Sequence, residues 1–123
     1  MAKKRVLVVD DEIDLVMLVQ LRLEASGYEV IVAYDGQEGL TKAQKEKPDL
    51  IILDLMMPRM DGYKVCGLLK ADARYNKIPI IVYSARGQQE DIKLAEEVGA
   101  NAYILKSIET QELLDKIKEL LKE

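Results

Sequence analysis

The chain has 123 residues, enough for one ordinary domain and too few for two. Apolar residues make up 49% and charged residues 33%, a balance that builds a core without disulfides or a structural metal. The formal charge is −4 with no basic block, which argues against direct nucleic-acid binding, and no apolar run approaches the roughly 20 residues that span a bilayer, so no membrane association is expected.

The chain opens on a basic stretch, Met1-Ala2-Lys3-Lys4-Arg5, followed by the apolar run Val6-Leu7-Val8-Val9. Asp10-Asp11-Glu12 ends that run too soon for a secretory leader. A helical segment follows from about Glu12 to Ala25 and stops at Ser26-Gly27. Leu15, Leu18, Val19 and Leu23 form a stripe that can cover a sheet, while Ile13, Met17 and Leu21 are apolar outside it. These three mark either a partner surface or a wider buried stripe.

A second apolar run, Val30-Ile31-Val32-Ala33, leads through Asp35-Gly36 into a helix that ends before Pro48. The third run is Leu50-Ile51-Ile52-Leu53, and the helix after Asp61-Gly62 carries Val65, Leu68 and Leu69 as its apolar stripe. The fourth is Ile80-Ile81-Val82-Tyr83, followed by a helix between Gly87 and Gly99. The fifth is Ala102-Tyr103-Ile104-Leu105, with a last helix from about Thr110 to Leu121 presenting Leu113, Leu114, Ile117, Leu120 and Leu121 on one face.

Most of the short runs are β-branched and continuous rather than alternating, as strands buried on both faces are. Strand and helix alternate throughout. This predicts an α/β fold, a doubly wound five-stranded parallel sheet of order 2-1-3-4-5 with helices on both faces. Residues 1–123 read as one domain.

Ligands of such sheets sit beyond the carboxyl ends of the strands, near the reversal of strand order. The residues found there are Asp10, Asp11 and Glu12 after the first strand, Asp54 after the third, Ser84 after the fourth and Lys106 after the fifth. Converging carboxylates repel and raise one another's pKa values unless a cation is present. Mg²⁺ suits oxygen donors of this kind, one or two carboxylates with waters and phosphate oxygens. Lys106 adds a fixed positive charge and Ser84 a hydroxyl for an anionic oxygen. The set reads as a pocket for a phosphoryl group, with Asp54 on the central strand as the nucleophile. With no histidine in the chain, Ser-His-Asp, Cys-His and His-zinc chemistries are excluded. The single cysteine, Cys66, cannot form an internal disulfide, and a cytoplasmic location is expected. Lone Asp residues after strands or near helix starts are ordinarily caps, and Asp14, Asp49, Asp72, Asp91 and Asp115 are read that way.

The motifs Val8-Val9-Asp10-Asp11-Glu12, Asp54-Leu55-Met56-Met57-Pro58-Arg59-Met60-Asp61-Gly62, Ser84-Ala85 and Tyr103-Ile104-Leu105-Lys106 resemble those of response-regulator receiver domains, over the full length of the chain. The likeness is to a chemotaxis-regulator-like single domain with a flavodoxin-like fold. It implies a two-component signalling switch rather than an enzyme, one that assists only its own phosphorylation and dephosphorylation. Asp54 would be the phosphoacceptor. Asp11, Asp54 and the Met56 backbone carbonyl would ligate Mg²⁺, with Asp10 acting through a metal-bound water. Lys106 would pair with the phosphoryl group, or with Asp54 before phosphorylation. Ser84 would turn inward to a phosphoryl oxygen, and Tyr103 would follow, changing the face of helix four, strand five and helix five.

The implied partners are a histidine kinase or histidine phosphotransfer protein as donor, and a downstream target protein or an output domain outside this chain. A phosphorylation-dependent homodimer through the helix-four to helix-five face is a further expectation. Three departures stand out. Ser107 occupies the position of a proline usual in the family, so the preceding peptide is expected to be trans. Gly39 stands where alanine is common, with no evident gain. Met56 and Arg86 occupy the positions that tune hydrolysis in the family, and Met56 cannot position a water, so slow self-dephosphorylation is expected. A flavodoxin-like electron carrier would need a hydroxyl- and glycine-rich phosphate loop after strand one. A haloacid-dehalogenase-type phosphatase would carry its Asp-x-Asp there. The remaining alternative is a receiver-shaped binding module that is never phosphorylated.

Overall fold

The computed structural model describes residues 2–107 and 109–122. Strands β1 (Arg5–Val9), β2 (Glu29–Ala33), β3 (Leu50–Leu53), β4 (Ile80–Ser84) and β5 (Ala102–Leu105) alternate with helices α1 (Ile13–Ala25), α2 (Gly36–Glu46), α3 (Gly62–Lys70), α4 (Gln89–Glu97) and α5 (Gln111–Leu121). The sheet is parallel throughout, in the expected order β2-β1-β3-β4-β5. The chain reverses direction across the sheet between β1 and β3, so the residues after these two strands flank the crevice.

The continuous apolar runs are explained by burial on both faces. Val6, Val8, Leu50, Ile52, Ile81, Tyr83 and Ile104 point to one side and pack with Val16, Val19 and Leu23 of α1 and Leu113 and Ile117 of α5. Leu7, Val9, Ile51, Leu53 and Ile80 point to the other, against Ala43 of α2 and Val65, Cys66 and Leu69 of α3. A smaller cluster of Leu55, Val82 and Ala95 seats α4.

Two helix starts, those of α2 and α3, are set by side chains. Asp35 caps α2 by accepting from the Glu38 N–H at 2.8 Å, and Asp61 caps α3 by accepting from the Lys64 N–H at 2.9 Å. On α1 the buried positions are Val16, Val19 and Leu23, with Leu15 and Leu18 only partly covered. Ile13, Met17 and Leu21 are 57–62% exposed, so the wider-stripe reading of α1 is set aside and an apolar outer face remains. Leu68, expected in the core stripe of α3, is 44% exposed; Cys66 takes the inward place, because α3 presents only Val65, Cys66 and Leu69 to the sheet.

Gly39 has a structural reason that its sequence context hides. A Cβ there would lie 2.6 Å from Val9 Cγ1, so α2 can sit on β1 only with a glycine at this point. Gly62 plays the same part nearer the crevice, where a Cβ would come within 2.2 Å of the Asp54 carbonyl oxygen.

Candidate functional site

Backbone pairing carries the sheet ladder one residue past the strands and fixes the residues of interest. The Asp10 N–H donates to the Ala33 carbonyl at 3.0 Å, the Asp54 N–H to the Val9 carbonyl at 2.9 Å, and the Lys106 N–H to the Ser84 carbonyl at 2.8 Å. The side chains that follow the strands are therefore held by rigid elements rather than by loops. Asp10 and Asp54 are almost wholly buried, at 3% and 4% exposure, whereas Asp11 faces solvent.

Asp10, Asp11 and Asp54 each offer a carboxylate oxygen within 4.8 Å of the other two, a donor set that suits a hard divalent cation. Lys106 Nζ lies 2.9 Å from Asp10 Oδ2 and 3.5 Å from both Asp54 Oδ1 and Glu12 Oε2. Its nearest partner is thus Asp10, with Asp54 and Glu12 equally distant behind it; the pair with Asp54 that the resemblance implied is present at the longer distance. The Glu12 N–H donates to Asp10 Oδ1 at 2.9 Å.

These surroundings set the charges. Burial raises the Asp54 pKa to about 6, the nearby Asp10 charge adds to this, and Lys106 and the Met56 N–H hold it back. Burial also raises Asp10, against the Glu12 N–H and Lys106. Burial alone would lower the Lys106 pKa, but the bond and charge of Asp10, with Asp54 and Glu12, carry it above the ordinary lysine value.

Beyond this centre, Ser84 is fully buried, and its Oγ accepts from the Arg86 N–H at 3.1 Å. The Tyr103 hydroxyl donates to the Arg86 carbonyl, and the Tyr103 ring already rests on the Leu55–Val82–Ala95 cluster. Arg86 Nη1 lies 3.6 Å from Met56 Sδ. Asp91, expected as a cap, is instead 8% exposed; it accepts from the Tyr63 hydroxyl at 3.0 Å, and its Oδ2 lies 3.2 Å from Arg86 Nε. The α4 N-cap is Gln88. The signal for Asp91 was the spacing Arg86–Asp91 across a loop-to-helix junction, too common a pattern to stand out.

Ser107 follows Lys106 through a trans peptide, as expected. Its N–H donates to the Tyr83 hydroxyl at 3.1 Å, and its carbonyl accepts from that hydroxyl at 2.9 Å. A proline could not make the first of these bonds. A groove of about 410 Å³ lies elsewhere, beside α2, lined by Asp35, Glu38, Lys42 and Arg59 among others. Of its charged side chains, Arg59 pairs with Asp35 and Lys42 with Glu38.

Residues 6–118 match the model of the response regulator receiver domain. The chain belongs to this family. Among relatives, this receiver domain is 44% identical over 119 residues to the alkaline phosphatase synthesis transcriptional regulatory protein PhoP of Bacillus subtilis, covering 97% of this chain and 49% of that one. It spans about half the length of the curated relatives it matches. Among solved structures, the Vibrio cholerae chemotaxis protein CheY4 superposes with a TM-score of 0.90 at 34% identity, covering 97% of this chain and 99% of that one. The Thermotoga maritima response regulator TrrA, solved in complex with Mg²⁺–BeF, superposes with a TM-score of 0.86 at 34% identity, covering 95% and 98%. The receiver domain is thus a signalling domain of two-component response regulators rather than a classical enzyme, and among its described residues no helix is long and apolar enough to cross a membrane.

Proposed function

We propose that this chain acts as one receiver domain whose Asp54 accepts a phosphoryl group from a phosphohistidine of a histidine kinase or phosphotransfer protein. The observation that carries this reading is the meeting of Asp10, Asp11 and Asp54 oxygens within 4.8 Å, beside the Lys106 ammonium. An Asp54 carboxylate oxygen attacks phosphorus, the P–N bond to the donor imidazole breaks, and that imidazole takes up a proton. Asp11, Asp54 and the Met56 carbonyl would hold Mg²⁺, with Asp10 acting through a water. When bound, the metal offsets the negative charge of the carboxylates and of the incoming phosphoryl oxygens.

Lys106 moves its charge from Asp10 towards the phosphoryl group, and Ser84 gives up the Arg86 N–H to donate to a phosphoryl oxygen. Tyr103 shifts with Ser84 and alters the α4–β5–α5 face, where Leu94 and Leu105 are 41% and 52% exposed. That face would receive a downstream target, an output domain outside this chain, or a second phosphorylated copy. The exposed Ile13, Met17 and Leu21 of α1 begin just after Asp11 and Glu12, which suits docking of the donor beside the acceptor. A cytoplasmic site of action follows from the nature of the donor. With Met56 unable to position a water, the acyl phosphate should be long-lived.

The test is mass spectrometry of the wild type and Asp54→Ala after incubation with acetyl phosphate, with and without Mg²⁺. One added phosphoryl group on the wild type, dependent on Mg²⁺ and absent from the variant, is the expected result. No adduct on the wild type, with acetyl phosphate or with a phosphorylated histidine donor, would leave a binding module that is never phosphorylated.

A further inference from the structure

Arg86 occupies an unusual place among the residues around Ser84. Its backbone N–H donates to the Ser84 hydroxyl at 3.1 Å, and its backbone carbonyl accepts from the Tyr103 hydroxyl. One residue therefore holds both side chains assigned to the switch. Its side chain is held in turn: Nη1 lies 3.6 Å from Met56 Sδ in the loop after β3, and Nε lies 3.2 Å from Asp91 Oδ2.

Asp91 is the third residue of α4, where an acid commonly serves the helix dipole from an exposed position. This one is buried to 8% exposure, and its Oδ2, sealed from solvent, receives no aligned hydrogen bond from any described residue. The Arg86 guanidinium is close enough for charge attraction but off line for a bond. The other oxygen is fixed by the Tyr63 hydroxyl at 3.0 Å. A buried carboxylate with one oxygen unbonded is unfavourable for stability alone, so a merely structural role accounts poorly for it.

We propose that Asp91 is a positioning residue of the switch, holding Arg86 so that the Arg86 backbone ties Ser84 to Tyr103 in the resting molecule. The inference rests on the reading that Ser84 turns to a phosphoryl oxygen bound at Asp54. For Ser84 to turn, the Arg86 N–H must lose its acceptor, and the Asp91–Arg86 attraction opposes the loop movement that would follow. Only an interaction that differs between the two arrangements can bias them. This pair biases them towards rest. Because the Arg86 side chain is about half exposed, the bias lies at the low end of the usual coupling range.

The experiment uses beryllofluoride with Mg²⁺ as the phosphoryl mimic, titrated by ¹H–¹⁵N NMR into the wild type, Asp91→Asn, Arg86→Ala and the double variant. Each single variant should bind the mimic about fivefold tighter than the wild type, and the double variant no tighter than either single. Affinity for Mg²⁺ alone should be the same in all four. Tyr63→Phe, which frees the other Asp91 oxygen while leaving the charge pair, should shift affinity in the same direction by about twofold, and serves if Asp91→Asn folds poorly. Additive effects of the two single variants would overturn the proposal. So would a change in melting temperature with unchanged mimic affinity. Failure of the wild type itself to bind the mimic would sink the phosphoacceptor reading and this proposal together, an outcome distinct from the other two.

Discussion

Replacing the acid at the centre of the site should make the metal-free protein more stable. Asp54 is 4% exposed, and its pKa is raised from 3.8 to about 6, first by burial and then by the Asp10 charge. A carboxyl whose folded pKa lies above its unfolded value is favoured by the fold in its protonated form. Its contribution is fully present below about pH 4, is lost as pH rises towards 6, and leaves a full penalty above that. At about 1.4 kcal/mol per pKa unit the penalty at neutral pH is about 3 kcal/mol as a ceiling. Asp54→Asn keeps the shape and removes the charge. In urea unfolding at pH 7.5 with chelator present, the variant should exceed the wild type by about 1–3 kcal/mol, read as a higher midpoint at unchanged slope.

The pH dependence separates this cause from a better local fit. By pH 4 the same two-state titration leaves a difference of about 0.5 kcal/mol, because the wild-type carboxyl is then protonated in the fold. Saturating Mg²⁺ at pH 7.5 should also raise the wild type towards the variant, since a ligand that binds only the folded state stabilises it. A variant no more stable than the wild type at pH 7.5, or equally more stable at both pH values, would refute the reasoning.

Asp11→Asn should weaken Mg²⁺ binding by about tenfold or more without loss of folding stability, measured by isothermal titration, because the exposed Asp11 contributes a charged oxygen to the donor set and little to the core. Gly39→Ala should lower stability by about 1–2 kcal/mol in urea unfolding despite the better helix propensity, since the new methyl would meet Val9 Cγ1 at 2.6 Å in the core. Tyr83→Phe should lower stability by about 0.5–1.5 kcal/mol, since it removes the hydroxyl that bonds both the N–H and the carbonyl of the exposed Ser107; a thermal melt matching the wild type would count against that role.

The strand-end residues were legible because two independent patterns crossed at them. Continuous apolar runs such as Leu50–Leu53 mark strands buried on both faces, and the abrupt polar residue that follows each run marks the crevice edge. Less was legible where the pattern had no phase or the partner lay far along the chain. In α1 apolar residues occur on every side, so the expected stripe took Leu15 and Leu18 and missed Val16, which the fold buries instead. Gly39 looked like a helix defect because its contact, Val9, lies on a different element. Asp91 looked like a cap because its partners Tyr63 and Arg86 come together only in the fold. Ser107 looked like a missing proline because nothing in the local sequence points to the Tyr83 hydroxyl.

The resting electrostatics explain why one lysine serves this centre without closing it. Lys106 Nζ is nearest Asp10 and stands 3.5 Å from Asp54, so a single ammonium is shared among carboxylates it cannot neutralise together. Burial first, and then the Asp10 charge that Lys106 leaves uncompensated, lift Asp54 to about 6 while leaving it mostly ionised at neutral pH. A carboxylate in that range is more basic than an ordinary one and therefore a better nucleophile, yet it needs no base to remove its proton. Had Lys106 sat squarely on Asp54, the carboxylate would be more stable and less reactive, and the same ammonium could not move to an incoming phosphoryl group without breaking its strongest contact. The closer pairing with Asp10 thus keeps Asp54, the proposed acceptor, under-compensated. That suits a site whose missing positive charge is to arrive with a divalent cation.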